Sequence, residues 1–152
     1  KLIDIYFNKE INNIIKNNIK VIISGRTKKL PANIQNTLKI AVNRTKKNNK
    51  LTINLAINYG SKTEIIDAIK KINYSSKKIT EENIEKNFYT ALPFPDILVR
   101  TGGQKRLSNF MLWQLSYSEI FFLDKLWPDF TKKDLKNIIN KFQKVKRNFG
   151  SI

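Results

Sequence analysis

Cysteine and histidine are both absent from this 152-residue chain, and each absence removes a class of chemistry. There is no disulfide framework, no thiol nucleophile, no Ser-His-Asp triad and no His/Cys metal cage. A bound metal would have to be a hard cation held by Asp, Glu, carbonyl or water oxygens. Long apolar runs are also missing. None approaches the roughly 20 residues that span a bilayer, and the opening Lys1-Leu-Ile-Asp-Ile-Tyr-Phe7 has neither the apolar stretch nor the small-residue site of a secretory leader. These features predict a cytoplasmic chain. At this length, with 41% hydrophobic residues, a single domain over 1–152 with a real core is expected.

Acidic residues are scarce: 12 stand against 29 Lys and Arg, for a net charge of +17. Such an excess invites a nucleic-acid reading, which depends on where the charge sits. Residues 1–50 carry +10, 51–100 carry +1 and 101–152 carry +6, so the excess is spread along the chain. Lys, Asn and Ile together make 66 of the 152 residues, and their codons are the richest in A and T. A drifting base composition therefore accounts for the basicity more simply than a phosphate-binding surface does. Within 91–130, however, those three types number only 5 of 40, and that block holds both Trp, three of the four Pro and no net charge. Chemistry or tight packing must dictate its residues.

Periodicity organises the rest. Ile3, Phe7, Ile11, Ile14 and Ile15 predict an amphipathic helix over 2–18. Val21-Ile-Ile-Ser-Gly25 reads as a buried strand, and Pro31 fits the first turn of a helix bearing Ile34, Leu38, Ala41 and Val42. Leu51–Asn58 is a second strand. Ser61 and Glu64 have the spacing of a capping box opening a helix with Ile65, Ile66, Ile69 and Ile72 inward. Thr80 caps a short helix, Ile97–Val99 and Ile120–Leu123 are third and fourth strands, and Thr131 with Asp134 opens a last helix carrying Leu135, Ile138, Ile139 and Phe142 inward. Strands separated by helices predict an α/β fold: a mostly parallel central sheet of about four strands with helices on both faces.

In the block that resists drift, Arg100 falls just past a buried strand, where open α/β sheets bind ligands. Gly102 and Gly103 would let backbone N–H groups approach an anion, and Arg100 and Arg106 can each donate a fork of hydrogen bonds to phosphate oxygens. Ser108 is expected at the start of a helix over 109–115, whose N-terminus would add to the site. A phosphate or diphosphate pocket and a glycine turn with two surface arginines both fit these residues. Glu119, entering an apolar strand, needs a partner, either Mg²⁺ or a basic group. Phe110, Trp113 and Trp127 are expected in core or interface packing.

The run from Asp96-Ile-Leu-Val-Arg-Thr-Gly-Gly through Ser108-Asn-Phe-Met-Leu-Trp-Gln-Leu to Glu119 and Leu126-Trp-Pro-Asp-Phe130 resembles the C-terminal signature of the cis-prenyltransferases, of the undecaprenyl diphosphate synthase (isoprenyl transferase) type. Leu51–Gly60 resembles the strand and turn upstream of that signature, and the resemblance runs over essentially the whole chain. It implies that Arg100, Arg106 and Ser108, with the backbone of Leu107, grip the diphosphate of isopentenyl diphosphate, and that Glu119 is a Mg²⁺ ligand. It further implies condensation onto an allylic diphosphate with cis geometry, a long-chain product for a cell-wall lipid carrier, a homodimer, and at most a peripheral association with the inner membrane face. Two positions depart from the family pattern, Gln104 where an acid is usual and Asn148 where a base is frequent. The family's Asp-Gly-Asn-Gly-Arg-Trp loop, with its metal-binding Asp, is not in these residues, and the chain begins with Lys1. It is therefore expected to be a C-terminal fragment, the last two thirds of the family pattern, inactive alone and with no catalytic residue of its own. The alternatives are a non-catalytic partner subunit and, from charge alone, a nonspecific nucleic-acid-binding protein.

Overall fold

The computed structural model describes residues 2–147, the side chains at 2–4 and 8 excepted, and the chain divides into two compact units, Lys1–Ala91 and Leu92–Ile152. All four expected strands are present among the described residues, and both pairings are parallel, as an α/β fold requires. Hydrogen bonding groups them as two pairs, one in each unit.

In the first unit, α1 (Leu2–Lys16) leads into β1 (Ile19–Ser24), α2 (Ala32–Thr45) crosses to β2 (Leu51–Ala56), and α3 (Ser61–Tyr74) and α4 (Glu81–Glu85) follow. β1 and β2 pair in register from Ile19 with Leu51 to Ser24 with Ala56. The apolar stripes close the core as the periodicity predicts: Ile11 of α1, Val21 of β1 and Ile34, Leu38 and Ala41 of α2 are buried. Ile3 lies outside the described side chains. Thr45 is fully buried because its hydroxyl does backbone work, accepting from Val21 N at 3.0 Å and donating to the Ala41 carbonyl at 2.8 Å. It thus satisfies a β1 amide that β2 does not reach.

The start of α3 departs from expectation. Gly60 is the N-cap, so Ser61 and Glu64 lie inside the helix and are buried, and the inward stripe is Ser61, Glu64, Ala68 and Ile72. Ile66 is half exposed. The apolar count favoured the isoleucines, but the small Ala68 and the hydrogen-bonded Glu64 are what the neighbouring chain accommodates. α4 begins as predicted, with the Thr80 hydroxyl accepting from Asn83 N.

In the second unit, β3 (Ile97–Arg100) pairs with β4 (Glu119–Phe122) from Ile97 with Glu119 to Arg100 with Phe122, and α5 (Lys132–Phe142) follows a short 3-10 turn at Trp127–Asp129. Thr131 and Asp134 form the expected capping box. No helix forms over 109–115. Ser108, Asn109 and Met111 have φ of 50°, 63° and 44°, left-handed values that a right-handed helix cannot contain. Turns replace it, with Phe110 N donating to the Leu107 carbonyl and Leu115 N to that of Met111. The aromatic residues are not core either: Trp127 is 69% exposed and stacks on Phe130, Phe110 is exposed, and Trp113 is half-buried, while Gln114, Leu115 and Ile138 are buried. Leu135 and Ile139 point outward.

Candidate functional site

The site is built outward from the end of β3. Leu123 N donates to the Arg100 carbonyl at 2.8 Å, which carries the β3–β4 pairing one residue past the strands. The chain then turns on two glycines. Gly102 and Gly103 have φ of 89° and 73°, open to glycine and strained for other residues. Their amides donate to the carbonyls of Lys125 and Leu123, each at 2.9 Å. These two amides dock the loop on the turn after β4, so backbone N–H groups offered to an anion here would come from other residues of the loop.

That docking brings the predicted side chains together. The Arg100 guanidinium reaches across the loop, Nη1 donating to the Arg106 carbonyl and, at 3.3 Å, to Ser108 Oγ. Arg106 and Ser108 are exposed and Arg100 is half-buried. Arg100, the Arg106 backbone and Ser108 are thus gathered in one loop at the carboxyl end of a parallel strand. The helix N-terminus expected to reinforce it is missing, so any anion held here is held by side chains and by amides of the turn. The loop is anchored from behind: Lys125, whose carbonyl receives Gly102 N, places its ammonium 2.8 Å from Asp134 Oδ2, and Asp134 also accepts from Thr131 N and its hydroxyl. The Lys125 ammonium, with Thr131, holds the Asp134 carboxyl well below its ordinary range.

Glu119 stands apart from this loop. It pairs with Ile97 at the amino end of the ladder, while Arg100 pairs with Phe122, a separation of three residues or about 10 Å along the strands. Its amide donates to the Asp96 carbonyl at 2.9 Å. The neighbouring Asp96 carboxylate is taken by Arg147, whose guanidinium also donates to the Tyr117 carbonyl at 2.9 Å and covers the Phe142 ring. Among the described residues no three acidic side chains gather into a cation cage. Glu119 can offer one carboxylate to Mg²⁺, and these residues do not complete a site around it. Asn148 lies outside the described residues.

The first unit holds a polar cluster that the sequence reading missed, also at the carboxyl ends of parallel strands. Arg26, two residues after β1, forks onto Asp67 through Nε–Oδ2 at 2.9 Å and Nη2–Oδ1 at 2.5 Å, and the Tyr89 hydroxyl donates to the same carboxylate. Glu64 accepts from the Tyr59 hydroxyl at 2.5 Å and from Tyr89 N at 2.9 Å. The hydrogen bonds from Arg26 pull the Asp67 carboxyl down to about 2, and burial beside Asp67 pushes the Tyr89 hydroxyl up to about 12. The available signal was Glu64 standing at helical spacing with Ala68 and Ile72; the capping-box reading explained it away.

Parallel strand pairs, with Arg100 drawn onto the Arg106 carbonyl and the Ser108 hydroxyl in the loop after a strand, define an α/β protein. The prenyltransferase family described as "putative undecaprenyl diphosphate synthase" matches residues 1–150, and the chain belongs to that family. It is 45% identical to an isoprenyl transferase of Rickettsia bellii over 99% of this chain and 67% of the relative, and 41% identical to one of Fusobacterium nucleatum over 97% and 64%. Two solved structures are also similar. One is a probable undecaprenyl diphosphate synthase from Campylobacter jejuni, with TM-score 0.92, 36% identity and coverage of 99% of this chain and 72% of that one. The other is lavandulyl diphosphate synthase from Lavandula x intermedia in complex with dimethylallyl diphosphate, with TM-score 0.90, 28% identity and coverage of 98% and 68%. The chain spans about two thirds of the length of the curated relatives it matches.

Proposed function

We propose that this chain supplies the isopentenyl diphosphate side of a cis-prenyl transfer. The reading rests on family membership and, within the structure, on one observation: Arg100 is joined by its own hydrogen bonds to Arg106 and Ser108 at the carboxyl end of β3. A diphosphate placed there would receive charge-assisted hydrogen bonds from two guanidinium groups and a hydroxyl, with the backbone at Leu107 closing the ring. In the reaction the double bond of isopentenyl diphosphate attacks C1 of an allylic diphosphate; a C–C bond forms, the C–O bond to the leaving diphosphate breaks, and a proton is lost to give a cis double bond. The two arginines hold and orient the nucleophile and take no part in bond making.

Glu119 is the carboxylate we assign to Mg²⁺, the preferred companion of diphosphates, which binds through one or two carboxylates together with substrate oxygens. A long undecaprenyl-type product serving cell-wall synthesis, a homodimeric state and a cytoplasmic site of action belong to the same proposal; likeness to a probable undecaprenyl diphosphate synthase supports the product class. Titration calorimetry with isopentenyl diphosphate tests the core of it. Binding that Arg100→Ala and Ser108→Ala both weaken is expected; equal affinity in the wild type and Arg100→Ala overturns it.

A further inference from the structure

The charge of the second unit changes abruptly. Residues 91–130 are neutral, whereas 132–147 contain six lysines and an arginine against the single acid Asp134. Both exceptions are already engaged: Asp134 is turned into the helix cap and onto Lys125, and Arg147 is tied to Asp96. What remains on α5 and just beyond it is lysine, at 132, 133, 136, 141, 144 and 146, and among the described residues none of the six forms an ion pair.

The apolar side of α5 is only half used. Ile138 is buried, 4% exposed, and anchors the helix, while Leu135 and Ile139 are 45% and 39% exposed. Spaced i, i+4, they form a two-residue ridge on one face. Lys132 stands one turn before Leu135 and Lys136 one turn before Ile139, so each exposed apolar side chain has an ammonium beside it. Val145, 39% exposed, lies just past the helix among Lys144 and Lys146. An apolar ridge bordered by unopposed lysines is the pattern of a helix lying in the plane of a lipid surface. A second copy of this chain suits it poorly. A two-fold contact through α5 would set the same lysines against one another, in a chain of net charge +17.

We propose that α5 is a membrane-docking helix that seats Leu135 and Ile139 at the headgroup boundary of an anionic bilayer, with Lys132, Lys136 and the lysines that follow on the lipid phosphates. The inference does not depend on the diphosphate loop. Co-sedimentation of the chain with phosphatidylcholine vesicles, with and without phosphatidylglycerol, tests it. Binding to the anionic vesicles is expected at about 0.15 M salt and should fall as salt rises and screens the lysines. Leu135→Asn with Ile139→Asn should weaken it about tenfold, and Lys132→Gln with Lys136→Gln by a similar factor. Because all four side chains are outside the core, far-UV circular dichroism should not change. Absence of binding, equal binding to both vesicle types, or full binding by the Leu135/Ile139 double variant overturns the proposal. So does a dimer that the same double variant dissociates while vesicle binding stays at background, because the occupant would then be a second copy.

Discussion

Arg100 has an observed role in the loop and a proposed one toward substrate, and the two can be separated by measurement. Its guanidinium organises the loop through Arg106 and Ser108, and it is also the strongest donor that a bound diphosphate would meet. Arg100→Ala should reduce isopentenyl diphosphate affinity at least tenfold, the loss of a charge-assisted contact of roughly 1.5–3 kcal/mol. Ser108 carries a hydroxyl on a left-handed residue, φ 50°, so Ser108→Gly should act in opposite directions. Relief of the backbone conformation offsets the entropic cost of glycine and leaves stability unchanged or raised by up to about 1 kcal/mol, while affinity falls. A melting curve beside a calorimetric titration checks this, and parallel losses in both would contradict it. Gly25 allows no such exchange. Its φ is 123° and a Cβ there would lie 2.1 Å from the Ile57 carbonyl oxygen, so Gly25→Ala should yield little folded protein in an expression and solubility assay.

Among elements, α5 shows the sequence reading at its best and at its limit. The capping box was legible because it needs only Thr131, Asp134 and the two residues between them; Thr131→Ala should cost about 1 kcal/mol in a denaturant titration. Which apolar residues of that helix face inward was not legible, since Leu135, Ile138 and Ile139 are equivalent by spacing and only the neighbouring chain chooses Ile138. α3 illustrates the converse. Its first turn is tied to Tyr59 and Tyr89 through Glu64, and its second to Arg26 and Tyr89 through Asp67. Asp67 has its folded pKa depressed from 3.8 to about 2, so its contribution to stability is complete above about pH 4 and is lost as pH falls towards 2. Tyr89, raised from 10.0 to about 12, stabilises fully below pH 10 and loses that contribution as pH rises through 12. Asp67→Asn should flatten the acid limb of the stability profile between pH 4 and 2; an unchanged limb would show that other carboxylates control it.

For the whole molecule, the loop proposed to hold the diphosphate and the candidate metal ligand must be distinguished. Arg100, the Arg106 backbone and Ser108 are joined within one loop that is docked on the turn after β4, whereas Glu119 lies about 10 Å away along the ladder and belongs to no cluster of three acidic side chains among the described residues. The 152 residues alone should therefore bind isopentenyl diphosphate weakly and show no incorporation of labelled substrate in the presence of Mg²⁺ and an allylic primer. Turnover by the isolated chain would contradict this, and would mean that Glu119 and the substrate phosphates suffice for the metal.

The α/β class, the four strands, most helix positions and the residues of the loop were readable from the residues alone, because strand and helix periods and glycine punctuation are local signals. It also carried the family, since the run from Asp96 to Phe130 departs so sharply from the lysine, asparagine and isoleucine drift around it. Tertiary structure alone decided how the glycine amides are spent, because their acceptors at Leu123 and Lys125 lie some twenty residues away. It replaced the expected helix over 109–115 with left-handed turns, which no glycine announced. It also converted Glu64 from a cap into a buried acceptor, since burying a carboxylate requires donors, and the turn at Tyr59 and the distant segment at Tyr89 supply them.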